Sequence, residues 1–218
     1  MKIFGFADFH GNTESVKRAS DLISVEQPSL VVIAGDLANR NIRLAEHALE
    51  DLSKSVQKVL FVPGNMDDPA LANWRDTERI VCIHAKRAVH DGTVFVGLGG
   101  AVRSPFMTPF EFGEAEASRE LAQAVQSSFC QNVVLVSHCP PKNTKLDLAG
   151  GIRHVGSEAV RRFIEERKPL LVICGHIHEA QGVDSIEQVP VVNVGPAAHG
   201  HYASISLDRP VKIELREF

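Results

Sequence analysis

Residues 2–10 read KIFGFADFH, an apolar run that ends in Asp8 and His10. The same arrangement, an apolar run followed by a residue type that binds metal ions, recurs further along the chain. It is found in VVIAGD at 31–36, LFVPGN at 60–65, VVLVSH at 133–138 and LLVICGHIH at 170–178. Short apolar runs rich in β-branched residues predict buried strands. The sequence therefore indicates a set of strands that each end in polar side chains able to bind metal.

Amphipathic segments separate these predicted strands. Apolar residues recur at helical spacing, opposite charged faces, in the segments 12–25, 42–57, 114–127 and 157–166. The alternation of strands and helices predicts an α/β fold. After Cys174 the pattern changes to shorter strands, which we expect to be antiparallel, at 180–186, 189–194, 202–207 and 211–216. Because no linker, low-complexity tract or internal repeat interrupts the chain, we expect a single domain over residues 1–218.

Composition narrows the class of protein. The chain has 218 residues, of which 44% are hydrophobic, and this is enough for a large core. Its apolar runs fall far short of the roughly 20 residues that cross a bilayer, and no signal peptide is recognisable, so we expect a cytoplasmic protein without a membrane partner. The four cysteines are too sparse for a disulfide scaffold and predict reduced thiols.

The charge distribution bears on the substrate. The formal net charge is -4, and lysines and arginines are scattered rather than gathered into a stripe. This pattern argues against an extended nucleic-acid track. Metal ions would nevertheless supply local positive charge, so the net charge is compatible with a small phosphorylated substrate.

The polar residues after the strands are expected to form one metal site. In an open α/β sheet, ligands bind beyond the carboxyl ends of the strands, so residues remote in sequence meet at one edge. Glycines at 35, 64 and 175 precede several of these residues and allow the chain to turn sharply. Within DFH and HIH, both polar side chains would lie on one side if extended geometry persists. The expected ligands are Asp8, His10, Asp36, Asn65, His138, His176 and His178.

The ligand types indicate which metals and which chemistry to expect. A mixture of carboxylate, amide and imidazole suits divalent Mn, Fe or Zn better than a thiolate set or a calcium cage. We expect two divalent ions, with Mn as the first choice and Fe, Zn, Ni or Mg as alternatives. With Asp36 as the bridge, ions about 3.5–4 Å apart would activate a shared water as hydroxide for in-line attack on phosphorus. Asp36, Asn65 and His138 are the expected catalytic residues.

Taken together, the motifs resemble the calcineurin-like metallophosphoesterase superfamily, in particular its small single-domain prokaryotic members. The matching blocks are DxH at 8–10, GD at 35–36, GN at 64–65, the histidine at 138 and GHxH at 175–178. The resemblance implies a four-layer α/β/β/α sandwich with mixed sheets. It also implies that one metal binds Asp8, His10, Asp36 and His178, and the other binds Asp36, Asn65, His138 and His176. The implied reaction is hydrolysis of a phosphodiester or phosphomonoester.

One position departs from the family pattern. Many relatives have a histidine after the asparagine of GN, where it contacts phosphate or protonates the leaving group, but this chain has Met66 followed by Asp67. Methionine cannot transfer a proton. The departure predicts a preference for activated leaving groups, unless His154, His199, His201 or a metal-bound water supplies the proton.

Substrate contacts are harder to assign from sequence. We expect the loops 101–113 and 139–156 to surround the substrate, and the candidate contacts are Arg40, Arg103, Arg153 and His154. An ordinary solvated loop remains an alternative for each of these residues. We favour a small phosphodiester as the substrate, and the sequence leaves a homo-oligomer open.

Two other functions were considered. The first is a non-catalytic protein-interaction module on the same fold, which is expected to lose metal ligands, whereas this chain keeps all of them. The second is a nuclease, which the absence of a basic track and of an additional nucleic-acid domain makes less favourable.

Overall fold

The computed structural model describes residues 1–125 and 132–218. The strands, in chain order, are β1 (Lys2–Phe6), β2 (Leu30–Ala34), β3 (Val59–Val62), β4 (Ile80–Cys82), β5 (Arg87–His90), β6 (Thr93–Leu98), β7 (Ala101–Val102), β8 (Glu111–Phe112), β9 (Val133–Ser137), β10 (Leu148–Ala149), β11 (Arg153–His154), β12 (Leu171–Cys174), β13 (Gly182–Ile186), β14 (Val189–Asn193), β15 (His201–Ser206) and β16 (Lys212–Glu217). The α-helices are α1 (Thr13–Glu26), α2 (Ile42–Ser53), α3 (Glu114–Val125) and α4 (Glu158–Arg167). The end of the predicted helix 114–127 and Cys130 lie outside the described residues.

Two mixed six-stranded sheets form the centre of the described structure, with strand orders β16-β15-β1-β2-β3-β4 and β13-β14-β12-β9-β6-β5. In the first sheet β1, β2, β3 and β4 are parallel, and β15 pairs antiparallel with β1. In the second sheet β14, β12, β9 and β6 are parallel. The parallel strands of each sheet therefore end along one edge, which is where the sequence predicts the ligands.

The alternation of side chains along the strands builds three apolar layers. Ile3, Val32 and Leu60 face Val134 and Ile173 across the space between the sheets. On the outer face of the first sheet, the core is formed with α1 and α2 by residues that include Phe4, Ile33, Ile23 and Leu49. On the outer face of the second sheet, the core is formed with α3 and α4 by residues that include Leu135, Val172, Leu121 and Ile164. The predicted four-layer α/β/β/α sandwich is confirmed.

Side-chain caps determine where three of the helices begin. Asn12, Asn41 and Ser157 each accept a hydrogen bond from a backbone N–H in the first turn of α1, α2 and α4 respectively. Such caps satisfy donors that a helix start leaves free. Among the described residues, no helix has the length and apolar character needed to cross a lipid bilayer.

Three predictions about secondary structure are corrected. The predicted helix 42–57 ends at Ser53, where the carbonyls of Ser53 and Lys54 accept hydrogen bonds from the Arg79 guanidinium instead of from helical amides. Strand β5 was not expected, although Asp91-Gly92 is a strong hairpin signal, and φ values of 46° and 73° there fit a tight turn into β6. Strand β14 is antiparallel to β13 but parallel to β12, because β13 returns the chain along the sheet edge.

Candidate metal centre

The predicted ligands meet at the seam between the two sheets. Asp8, Asp36 and Asn65 follow β1, β2 and β3 of the first sheet, whereas His138 and His176 follow β9 and β12 of the second. Two groups of candidate ligand atoms each lie within 4.8 Å of one another, and they are Asp8, His10 and His178, and Asp8, Asp36 and His138. The structure thus brings residues from both sheets into one cluster.

Distances within the cluster are suited to shared ligands. In the first group, His178 Nε2 lies 3.6 Å from Asp8 Oδ1 and 3.1 Å from His10 Nε2. In the second group, His138 Nε2 lies 3.5 Å from Asp36 Oδ2 and 2.8 Å from Asn65 Oδ1. The two groups share Asp8, and Asp36 Oδ2 of the second group also lies 3.8 Å from His10 Nε2 of the first. The remaining candidate, His176, has its ring centroid 4.9 Å from that of His138.

The backbone at the ligands is left-handed rather than extended. The φ angles are 57° at Asp8, 49° at His10, 53° at Asp36 and 72° at His176. The expectation that extended geometry would align Asp8 with His10 and His176 with His178 is therefore wrong. Instead, the chain turns as it leaves each strand, and Asp8 Oδ1 still lies 3.9 Å from His10 Nε2. Left-handed non-glycine residues cost about 1–3 kcal/mol each and cluster at functional sites.

Two glycines permit the close approach of these turns. A Cβ atom on Gly64 would collide with the carboxylate of Asp36, and one on Gly35 would collide with the ring of His138. Gly35 also has a φ of 94°, which side chains rarely adopt. The glycines of the GD and GN motifs are thus required by packing inside the site.

Hydrogen bonds to the far side of the rings orient the histidines. His138 Nδ1 donates to the carbonyl of Ala34 at 2.7 Å, which turns Nε2 toward Asp36 and Asn65. His10 Nδ1 lies 2.7 Å from Asn39 Oδ1, which turns its Nε2 toward the cluster. Metal-binding histidines are commonly held through the second ring nitrogen in this way.

Three supporting residues were not assigned from sequence. Asp67 accepts hydrogen bonds from the amides of Leu37, Ala38 and Gly64 at 3.0, 2.8 and 2.8 Å. The Asp67 carboxylate therefore ties the loop that carries Asp36 to the loop that carries Asn65. Asn39 orients His10, and the buried Asn193 donates to the carbonyl of Ile177, between His176 and His178, at 2.8 Å. Of these three residues, only Asp67 could have been suspected from sequence, because it directly follows Asn65-Met66.

The charges of the cluster fit a cation. Asp8 Oδ1 is buried and has no hydrogen-bond partner within the described chain. Burial, with added repulsion from Asp8 and Asp67, raises the pKa of Asp36 to about 6. Burial opposes protonation of His138, yet the nearby carboxylates, Asp36 foremost, raise its pKa. Burial lowers the pKa of His176 to about 3, so this ring stays neutral and able to donate a lone pair. The donor set and its excess of negative charge fit divalent metal ions.

The candidate substrate contacts are exposed, with Arg40 and Arg103 on loops and Arg153 and His154 on β11. The side chains of Arg40, Arg103 and Arg153 form no hydrogen bond or ion pair within residues 1–125 and 132–218. His154 differs, because its Nδ1 lies 2.7 Å from a carboxylate oxygen of Asp147. His201 lies on β15, 3.8 Å from Glu217 of the neighbouring strand, and so belongs to the C-terminal hairpin.

The chain belongs to the calcineurin-like phosphoesterase family, whose model matches residues 1–180. The recognition made from the five motifs is confirmed. The chain is 34% identical over 209 residues to an uncharacterized protein, MJ1162, of Methanocaldococcus jannaschii, and the match covers 93% of this chain and 91% of that protein. The family consists of metal-dependent phosphoesterases.

Solved structures share the fold. The crystal structure of TT1561 of Thermus thermophilus superposes with a TM-score of 0.79 at 20% identity, over 99% of this chain and 98% of that one. A dimetal phosphatase from Danio rerio superposes with a TM-score of 0.63 at 14% identity, over 100% of this chain and 96% of that one. These similarities concern the architecture alone.

Proposed function

We propose that the chain is a phosphoesterase with two divalent metal ions, which hydrolyses a small phosphodiester or phosphomonoester and acts as one domain over residues 1–218. The observation that carries this proposal is the intact ligand cluster at the sheet seam, with Asp8 Oδ1 buried there and without a hydrogen-bond partner in the described chain. When bound, the metal ions would supply an activated water and positive charge for the phosphoryl oxygens.

We assign Asp36 as the ligand shared by both metals, whereas the residue common to the two groups of ligand atoms is Asp8. Asp36 Oδ2 is 3.5 Å from His138 Nε2 and 3.8 Å from His10 Nε2, so it faces members of both groups. Asp8, His10 and His178 would complete the first metal site, and Asn65, His138 and His176 the second. Mn remains our first choice, because the donors are oxygen and imidazole without thiolate. The buried thiols Cys82, Cys139 and Cys174 are free, which supports a cytoplasmic location.

The loops around the seam favour a small substrate. Arg40, Arg103 and Arg153 are exposed near the ends of the ligand-bearing strands and would bind the charge of a phosphate group. These separate cations form no continuous track for a long polyanion. We favour a phosphodiester as the natural substrate, with Asn65 and His138 next to the phosphate.

A metal-replacement assay tests the proposal. The protein is stripped with a chelator, reloaded singly with Mn, Fe, Zn, Ni or Mg, and assayed on bis(p-nitrophenyl) phosphate and p-nitrophenyl phosphate while metal content is measured. We expect turnover to return with about two ions per chain. Asp21→Asn, an exposed substitution on α1, is the matched control for loss of one carboxylate. A chain that loads both metals yet hydrolyses neither class of ester would contradict the enzyme and favour the interaction module.

A further inference from the structure

An aspartate–histidine pair lies in the loop segment 139–156, which follows β9 and His138. His154 belongs to β11, and its Nδ1 is 2.7 Å from Asp147 Oδ1. Asp147 is fully buried. Its carboxylate also accepts hydrogen bonds from the amides of Asn143, Thr144 and Gly156 at 3.1, 2.9 and 3.0 Å. A buried carboxylate held by three amides has a fixed position, so it fixes the imidazole that is bonded to it.

The loop that carries the pair is attached to the ligand segment of the second sheet. The amide of Gly150, at the tip of the β10–β11 hairpin, donates to Glu179 Oε1 at 2.8 Å, and Glu179 directly follows His178. A second hydrogen bond, from the amide of Lys145 to Asp184 Oδ2 at 2.9 Å, joins the same loop to β13. The hairpin is therefore anchored next to a metal ligand instead of standing free in solvent.

The ring of His154 has one nitrogen engaged and one available. Its side chain is 39% exposed. In the described part of the chain, Nε2 makes no hydrogen bond. The Asp147 carboxylate accepts a hydrogen bond from Nδ1–H and so holds the proton on that nitrogen, which leaves Nε2 as the ring nitrogen available to a substrate.

The position next to Asn65 cannot perform this role. Met66 has a thioether, which carries no proton to donate. Its backbone is also committed, because its N–H donates to Asp36 Oδ1 at 2.8 Å and its carbonyl accepts from the amide of Arg40 at 2.8 Å. Any side chain that protonates the leaving group must therefore lie elsewhere in the chain.

We propose that His154 is the general acid of the reaction, that Asp147 is its positioning residue, and that the natural substrate is a phosphate ester with an alkoxide-type leaving group. This inference rests on the proposed phosphoesterase function. It reverses the expectation of a preference for activated leaving groups, which was based on Met66 alone.

In the step, an oxygen of water forms a bond to phosphorus while the ester P–O bond breaks. The electron pair of that bond goes to the leaving oxygen, which takes the proton from Nε2 of His154. The imidazole is left neutral, with Nδ1–H still directed at Asp147, and it regains a proton equivalent to the one released from the attacking water. The sum is ester plus water giving phosphate plus alcohol.

A leaving-group comparison tests the proposal. Two esters of one phosphate class, one p-nitrophenyl and one alkyl, are compared by kcat/KM at matched metal content. We expect His154→Gln to lower the value for the alkyl ester by about 10²- to 10⁴-fold and that for the p-nitrophenyl ester only slightly, because a p-nitrophenolate leaves without protonation. His47→Gln, an exposed substitution on α2, is the matched control. Equal losses for both esters would overturn the assignment of the acid.

Ring resonances of the Zn-loaded protein give a second measurement. We expect inorganic phosphate to shift the His154 signals but not those of His47, and we expect the Nδ1–H tautomer in the native chain. Asp147→Asn should change that tautomer. If this buried substitution prevents folding, the native tautomer and the phosphate shift decide the question. If phosphate does not shift the His154 resonances in a chain that hydrolyses esters, only this inference is overturned. If turnover of both esters is absent or independent of metal, the proposed function is overturned as well.

Discussion

The two sheets bring chemically different residues to one seam. The edge of the first sheet carries Asp8, His10, Asp36 and Asn65, so its donors are mainly oxygens, and its carboxylates carry the negative charge. The edge of the second sheet carries only imidazoles among the candidate ligands, at His138, His176 and His178. We refer to them as the oxygen edge and the imidazole edge.

The two edges are also held differently. The oxygen edge is tied together from within by Asp67, whose carboxylate joins the Asp36 and Asn65 loops. The imidazole edge is held by Asn193, at the end of β14 in the same sheet, which donates to the carbonyl of Ile177. It is also held by the first sheet, since the carbonyl of Ala34 orients His138. Charge thus comes from one sheet and neutral donors from the other, and neither edge alone provides a complete ligand set.

The largest expected effect comes from comparing one ligand of each edge. Asp36→Asn should remove both metals and lower kcat/KM by at least about 10³-fold, because several kcal/mol of charge stabilisation are lost. His176→Asn should remove one metal only, because His176 faces a single group. Metal content and kcat/KM on one ester are measured together, with Asp21→Asn as the control. Equal metal loss in both variants would mean that Asp36 is not the shared ligand.

The segment that connects the two sheets, between β4 and β5, is expected to contribute less to folding stability as the pH falls. His84, where the chain passes from β4 toward β5, accepts a hydrogen bond from the amide of Gly99 at 2.9 Å, and burial lowers its pKa to about 4. The unfolded chain therefore binds a proton more readily than the folded chain. The contribution of His84 to stability is present above about pH 6.5 and falls by at most about 3 kcal/mol as the pH drops to about 4.

Denaturant unfolding between pH 4 and pH 7 measures this effect. His84→Gln should flatten the pH dependence, whereas His47→Gln should leave it unchanged. Glu120 Oε2 lies 3.7 Å from His84 Nε2, and burial and Glu116 raise the pKa of Glu120, so the difference between the native protein and His84→Gln reports on the His84–Glu120 pair. If the unfolding free energy of His84→Gln varies with pH in parallel with that of the native protein, the pH dependence does not come from His84.

The hydrogen bonds that Asp67 accepts within the oxygen edge can be weakened separately. In Asp67→Asn an amide N–H₂ faces backbone donors, so the Asp36 and Asn65 loops lose part of their common anchor. We expect metal affinity to fall about 10- to 100-fold while the chain stays folded. Asp68→Asn is a matched control, because either side chain can accept the hydrogen bond from the amide of Ala70. Titration calorimetry with Mn gives the affinities, and unchanged binding in Asp67→Asn would show that the tie does not position the ligands.

The smallest expected effect concerns phosphate contacts. Arg103 directly follows β7 and Arg153 lies on β11, in the segments that follow β6 and β9 of the second sheet, whereas Arg40 lies in the loop after β2 of the first sheet. We expect Arg103→Ala or Arg153→Ala to raise KM about tenfold for a charged ester, the equivalent of about 1.4 kcal/mol. Arg119→Ala, on α3, serves as the control. A rise in KM for Arg40→Ala alone would locate phosphate at the oxygen edge instead.

Much of the candidate site could be predicted from sequence, because each of the five quoted apolar runs is followed within a few residues by candidate ligands. The apolar run gives the strand, and the carboxyl ends of parallel strands converge, so Asp36 and His138 could be paired although they are remote in the chain. The alternation of strands and helices predicted the α/β class, whereas the four-layer arrangement was implied by the family resemblance. The pairing of the ligands and the fold class use only local pattern and general sheet geometry.

The contacts that support the ligands could not be predicted from sequence, because they depend on how the chain turns after the strands. Asn39 reaches His10 only because the chain reverses after β2, and φ is 38° at Asn39 itself. Asp67 reaches Leu37 only because the GD and GN loops stack. Left-handed turns at non-glycine residues are disfavoured locally and are stabilised by the surrounding fold, so a local pattern does not reveal them.

Under the proposed metal binding, those left-handed turns would also connect metal supply to the lifetime of the protein. Four residues of the ligand cluster hold φ between 49° and 72°, and Asp8 Oδ1 is buried among them without a hydrogen-bond partner in the described chain. Without metal, this strain and burial subtract from a folding free energy that is typically only about 5–15 kcal/mol. Metal at 100 times its dissociation constant would restore about 2.7 kcal/mol per site. Chains made when metal is scarce should thus melt earlier and be degraded sooner, so scarcity would reduce the amount of the protein as well as its activity.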